Sequence, residues 1–138
     1  MRYANTSLAE LLAGVIRGEL GSMSAVMSAK HEELLSAADA LGGPLVVPRT
    51  AAVSVLRALR NGVYGPESVQ AWASFVSAGF VANRSPGPIR PVEIDFEDAW
   101  EDAIAEAVSR LDEIGDVVDG EVTSCEIDDL LKLLGERP

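Results

Sequence analysis

Apolar side chains recur at helical spacing along six stretches of this chain, and glycine or proline stands between most of them. Pro48 and Pro66 open two stretches at a first helical position, where proline loses no hydrogen bond. Thr123 and Glu126 form a capping-box pattern before the last stretch. The spacing predicts helices over about 7–19, 22–41, 48–61, 66–80, 95–114 and 124–134. We therefore expect an all-α fold, a compact bundle of five or six helices.

The length of the chain, 138 residues, is that of one domain, which we place over residues 1–138. Apolar residues make up 48% of the chain, which argues against disorder. Proline and glycine are concentrated in residues 85–94, and this predicts a semi-rigid extended strap before the last third of the chain. Within it, Val92 and Ile94 alternate with acids, a pattern consistent with a brief strand.

Charge is divided unevenly along the chain. Residues 1–91 carry 8 basic and 6 acidic side chains, a net of +2, whereas residues 92–138 carry 3 and 16, a net of −13. Like charges at this density oppose compaction, so we expect some of them to meet positive charge on another molecule. Nucleic acid is a poor candidate for a direct ligand, because the acidic third would repel phosphates. The charge favours a basic protein as partner.

The compartment is indicated by cysteine usage and by the N-terminus. Cys125 is the single cysteine and cannot form an intramolecular disulfide, which is typical of a cytoplasmic protein. The best apolar run near the N-terminus, Leu8 to Ile16, contains Glu10 and is too short to span a bilayer. We therefore predict a cytoplasmic protein that does not bind membranes.

The predicted helix over 95–114 carries the sharpest charge pattern. Five of its acids recur at spacings of three, four, four and seven residues, which places them along one face. Two interpretations are open: a solvated surface that keeps a helical protein soluble, or a docking surface for a basic protein. If the face docks, the predicted partner-binding residues are Asp95, Asp98, Glu101, Asp102, Glu106, Asp112, Glu113 and Asp116.

A metal site or an active site is the third interpretation, and the sequence argues against it. Di-iron bundles need Glu-x-x-His pairs, but the single histidine, His31, has Ser28 three residues before it. A calcium loop around Asp116 fails because Val118 occupies the third ligand position. Ser–His–Asp order, phosphate-binding glycine loops and zinc spacing are also missing from the sequence. We predict no catalytic residue, no metal and no cofactor.

Three arginines of the third predicted helix could neutralise part of the acidic third. Arg49, Arg57 and Arg60 are spaced by eight and three residues and share one side of the helix. We expect them to pair with acids of the predicted helix over 95–114. Three arginines cannot neutralise sixteen acids, so a surplus of negative charge must remain exposed.

The middle of the chain resembles the colicin D-type immunity proteins. Val55–Leu59 leads to Gly62, then to Pro66–Val69 and Trp72–Ala73, and Asp112–Asp116 with the final leucine-rich helix is similar as well. The resemblance covers about half of the chain. It implies a small acidic helical bundle of a bacterium that neutralises a cognate nuclease toxin by covering its basic RNA-binding active site.

Two hypotheses of different classes follow. The first is a non-catalytic module that binds and neutralises a basic toxin, a nuclease. The alternative is a structural or regulatory helical module that self-associates through apolar surface, with the acids only keeping it soluble.

Overall fold

Short helices joined by tight turns make up most of the structure. The computed structural model describes residues 8–42, 45–79, 92–113 and 123–136. Its elements in chain order are α1 (Leu8–Ile16), a 3₁₀ turn (Leu20–Ser22), α2 (Met23–Ser28), α3 (His31–Ala40), β1 (Leu45–Val47), α4 (Arg49–Arg60), α5 (Pro66–Ala78), β2 (Ile94–Phe96), a second 3₁₀ turn (Asp98–Trp100), α6 (Glu101–Asp112) and α7 (Ser124–Leu133). The predicted helical architecture is confirmed, with more helices than expected and a small sheet. None of the helices in these ranges has the length and apolar character needed to cross a membrane.

The prediction of a single helix over 22–41 is wrong, because the helix is interrupted at Lys30. This residue has extended backbone angles, φ −72° and ψ 149°. Its N–H donates to Glu33 Oε1 at 2.8 Å, which caps the start of α3. His31 therefore begins a new helix and lies half-buried there.

A parallel pair of three-residue strands joins two distant parts of the chain. Leu45 lies opposite Ile94, and Val47 lies opposite Phe96. The prediction of a helix from 95 is wrong at its start, because these residues pair as β2 instead. The proposed brief strand is confirmed at Ile94, while β1 was not predicted. Residues 85–91 of the predicted strap lie outside the described residues.

The starts of the helices follow their capping residues. Pro66 is the first residue of α5, as predicted. Pro48 is the residue before α4 rather than its first residue, one position from the prediction. The capping box of α7 is confirmed: Glu126 N–H donates to Thr123 Oγ1 at 3.2 Å, and Thr123 N–H donates to Glu126 Oε1 at 3.3 Å.

One hydrophobic cluster connects α1 through α7, and five residues of α5 are buried in it. Trp72 is fully buried, and its Nε1–H donates to the carbonyl oxygen of Val15 at 2.8 Å. The apolar residues at helical spacing on α5, Val69, Trp72, Ala73 and Val76, are all buried. α5 packs on α6, and α7 packs mainly on α4 and α6. This arrangement fixes which face of α6 points outward.

The end of α1 approaches α4 so closely that only glycine fits. Gly18 has φ +87°, and a Cβ atom there would lie 2.7 Å from the carbonyl oxygen of Ala51. Gly62, after α4, also has a positive φ of +73°, but no atom lies within 4 Å of its would-be Cβ. The two positions share the backbone requirement and differ in the available space.

We expect Gly18→Ala to lower the free energy of unfolding by about 3 kcal/mol or more. Left-handed backbone costs an alanine about 1–2 kcal/mol, and the overlap with Ala51 adds a second cost of similar size. Gly62→Ala, the matched control, has only the first cost. Urea denaturation of the two variants measures the difference. Equal losses would show that the contact between Gly18 and Ala51 does not constrain the fold.

Candidate protein-binding surface

α6 separates its apolar and acidic side chains onto opposite faces. Its buried residues are Ile104, Ala107, Val108 and Leu111. Successive helical residues are rotated by about 100°, so Asp102, Glu106 and Glu113 fall on the opposite side. We define the outer face of α6 as these three residues, all of them exposed. Glu101 is also exposed, but it is the first residue of the helix and lies on the same side as Ile104 and Val108. These carboxylates lie on a helix that the core holds in place from behind.

The eight predicted binding residues do not all share this face. Asp98 is exposed in the 3₁₀ turn that leads into α6. Asp95 is exposed on β2, so its predicted place on the helical face is wrong, because strand pairing holds its backbone extended. Asp112, the last residue of α6, is half-buried, and Gln70 Nε2 donates to its backbone oxygen and to its Oδ1, each at 3.4 Å. Asp116 lies outside the described residues.

A groove of about 450 Å³ runs between α6 and α7, beside the outer face. Its lining consists of Glu106, Ser109, Arg110, Glu113, Glu126, Asp129 and Leu130. Four carboxylates and one guanidinium give this lining a negative balance, and Leu130 adds apolar surface. The groove extends the acidic outer face of α6 into a concave site.

Arg110 is the internal cation of the groove. Its Nε donates to Glu126 Oε2 at 2.8 Å, and a second guanidinium nitrogen donates to Glu126 Oε1 at 3.1 Å. A third nitrogen lies 3.6 Å from Glu113 Oε1. The hydrogen bonds from Arg110, followed by that from the Thr123 backbone, lower the pKa of Glu126 below its ordinary value of 4.5. Glu126 therefore stays ionised at neutral pH and keeps the groove negative.

The arginines of α4 also pair with acids, but not with the ones predicted. Arg60 lies 2.6 Å from Asp128, and Arg57 lies 2.7 Å from Glu136. Arg49 contacts Glu136 as well, at 2.5 Å. These acids belong to α7 and the residues just after it, so the predicted pairing with the helix over 95–114 is wrong. The hydrogen bond from Arg49, with help from Arg57, lowers the pKa of Glu136.

The acids of the outer face have no such partners over most of its length. Within the described ranges, Glu101, Asp102 and Glu106 form no ion pair with another residue of the chain. Glu113 alone approaches a cation, Arg110. Among the described residues, the acids of α7 that face α4 and α6 are thus paired, whereas Asp102 and Glu106 of the outer face are not.

The sequence reasoning missed the second wall of the groove. Glu126, Asp129 and Leu130 come from α7, which was predicted only as an apolar helix with a capping box. One signal was available. Arg110 is the single basic residue between positions 92 and 131, among many acids. A lone cation in such a segment indicates that carboxylates from elsewhere in the fold meet there.

In the described part of the chain, no group of three or more His, Cys, Asp or Glu side chains is arranged to hold a metal ion. Cys125 is a free thiol, exposed in the first turn of α7.

No protein-family model matches this sequence, and neither a curated protein nor a solved structure was found to match it. The resemblance to the colicin D-type immunity proteins stays a prediction that rests on the residues quoted above. In the structure, the segment Val55–Ala73 covers the second half of α4, the turn after it and the first half of α5.

We expect Arg110→Gln to raise the pKa of Glu126 toward 4.5. The substitution removes the largest cause of the lowered pKa and leaves other carboxylates lining the same groove. A pH titration followed by carbon NMR of the Glu126 carboxyl measures the change. Arg57→Gln is the control, because Arg57 pairs with Glu136 and should leave Glu126 unaffected. An unchanged pKa in Arg110→Gln would mean that the pair does not form in solution.

Proposed function

We propose that this chain is a non-catalytic binding protein that neutralises a basic protein toxin, a nuclease, by covering its cationic surface. The observation that carries the proposal is the exposed row of carboxylates on the outer face of α6, of which Asp102 and Glu106 form no ion pair within the described residues. The opposite face of the same helix is buried in the core. The backbone that carries this row is therefore ordered before a partner arrives, and only the side chains lose freedom on binding.

Electrostatics support a nuclease as the proposed partner. A nuclease that binds RNA presents a cationic cleft for phosphates, and carboxylates at helical spacing can occupy it in their place. Fields from several acids also steer the encounter and raise the association rate, an effect that salt weakens. The net charge of −13 over residues 92–138 supports this mechanism.

The groove beside the outer face suggests how one side chain of the toxin is held. A lysine or arginine that enters it would place its charged end among the carboxylates of Glu106, Glu113 and Asp129. Its aliphatic stem would lie along Leu130, since long basic side chains bury their stems on apolar surface. In this proposal the groove supplies specificity and the outer face supplies the association rate.

Self-association through apolar surface remains the alternative. The large apolar side chains exposed in the described ranges are Met27, Leu41, Val46, Val63 and Leu133, on five different segments of the chain. Singly exposed apolar side chains are ordinary on monomeric proteins. These positions favour no particular self-association interface, so the proposal stands on the acids.

A pull-down from a lysate of the source organism, washed at low and then at high salt, tests the proposal. We expect a basic protein that high salt releases, and we expect its RNase activity to fall when this chain is added back. Recovery of this chain alone would support self-association. A captured protein without nuclease activity that the chain inhibits would contradict toxin neutralisation.

We expect the double variant Asp102→Lys with Glu106→Lys to raise the Kd for the captured partner more than tenfold. Both residues are exposed on the outer face and unpaired within the described residues, so the bundle should fold as before. Surface plasmon resonance measures the affinity, and circular dichroism checks the fold. The matched control is Glu32→Lys with Asp39→Lys, which makes the same charge change on exposed positions of α3. Equal weakening by both pairs would mean that only net charge matters, and unchanged affinity would exclude α6 from the interface.

A further inference from the structure

α7 is held by charged contacts near its start, at its middle and just beyond its end. Near the start, Glu126 receives two hydrogen bonds from Arg110 of α6. At the middle, Asp128 pairs with Arg60 of α4. Beyond the end, Glu136 pairs with two arginines of α4, and the Leu134 carbonyl accepts a hydrogen bond from Arg49 at 3.0 Å. We refer to these three contact points as the anchors of α7.

Apart from the anchors, α7 contacts the bundle through a single apolar face. Its apolar face consists of Ile127, Leu130, Leu131 and Leu134, which pack mainly against α4 and α6. It has ten residues, and a helix of that length is marginal in water without a packing partner. α5, in contrast, buries two large aromatic side chains, Trp72 and Phe75, almost completely. Segments with fewer buried apolar contacts open locally at a lower free energy than the rest of the core.

We propose that α7 is a releasable segment, which opens and closes as a unit while the other helices stay folded, and that its anchors make this opening sensitive to salt and to pH. Opening would unfold α7 and uncover the apolar surface of α4 and α6 beneath it. Because α7 supplies one wall of the groove, opening would also abolish that site. The inference rests on the anchors and the packing alone, and it holds whether or not the chain neutralises a toxin.

The direction of the pH dependence follows from the anchors. Glu126 and Glu136 both have lowered pKa values in the folded protein. Their contribution to stability is complete above the ordinary pKa of 4.5 and is lost as the pH falls through the lowered values. The charged groups around Glu126 are Arg110, Glu106, Glu113 and Asp129. Asp128 faces Arg60. Glu136 faces Arg49 and Arg57. We therefore expect α7 to open increasingly below about pH 4.5.

Native-state hydrogen exchange of the full chain tests the proposal. The readout is the protection factor, corrected for intrinsic exchange, of amides in α7 (Leu130 and Leu131) and in α5 (Trp72 and Ala73). At pH 7, raising NaCl from 20 to 500 mM should lower α7 protection about two- to fivefold, because salt screens exposed ion pairs of modest strength. Lowering the pH from 7 to 4 should act in the same direction. Protection in α5 should change by less than twofold.

Glu126→Gln is the variant that isolates one anchor. Glutamine keeps the capping-box hydrogen bond with Thr123 but loses the charge that pairs with Arg110. We expect a drop of about two- to fivefold in α7 protection at pH 7 and low salt, with α5 unchanged. The matched control is Asp129→Asn, an exposed acid of the same helix that makes no ion pair within the described residues.

Two results would overturn the proposal. If α7 and α5 lose protection together, in the wild type under salt or acid, then α7 opens only when the whole bundle unfolds. If Asp129→Asn lowers α7 protection as much as Glu126→Gln does, then general charge on the helix, rather than the anchors, controls opening. The wild-type arm needs no variant to fold, so the first outcome remains decisive in every case.

Discussion

The acidic third of the chain packs on an apolar core because arginines of α4 and α6 pair with the acids that face them. Arg49 and Arg57 form ion pairs with Glu136. Arg60 pairs with Asp128, and Arg110 pairs with Glu126. Without these partners, carboxylates partly withdrawn from water at the α7 interface would be costly. The guanidinium carbon of Arg49 also lies 5.4 Å from the centroid of the Trp100 ring, and the backbone N–H of Arg49 donates to a carboxylate oxygen of Glu97. Arg49 thus connects α4 with the segment before α6 and with the residues just after α7.

Local sequence rules predicted the elements that depend on local chemistry. The proline at the start of α5 and the capping box of α7 act within one helical turn, so their signals are complete in the sequence. The strand pair was beyond such rules, because Leu45 and Ile94 meet across about fifty residues. Phe96 and Trp100 are spaced as on a helix, so the segment before Asp98 was compatible with either structure. Pairing with β1 in the folded protein makes this segment a strand.

For the candidate site, too, the sequence predicted only the features that depend on local spacing. Periodicity correctly predicted that Asp102, Glu106 and Glu113 share an exposed face, because the face of a helix depends only on spacing. It could not predict which acids find a cation. The pair of Arg110 and Glu126 depends on how α7 lies against α6, and the pair of Arg49 and Glu136 on where the chain end lies against α4. The difference between paired and unpaired acids is therefore a property of helix packing.

That difference separates the energetics of folding from those of binding. Asp102 and Glu106 lie four residues apart on an exposed helical face, where like charges cost a few tenths of a kcal/mol. Asp102 recovers part of this in the first turn through the helix dipole, while Glu106 lies beyond the first turn. These residues add negative field at the surface without adding to the stability of the bundle. Solubility alone would be served as well by mixed charges on this face. A row of one sign, mounted on a helix whose other side is core, is better suited to a cationic partner.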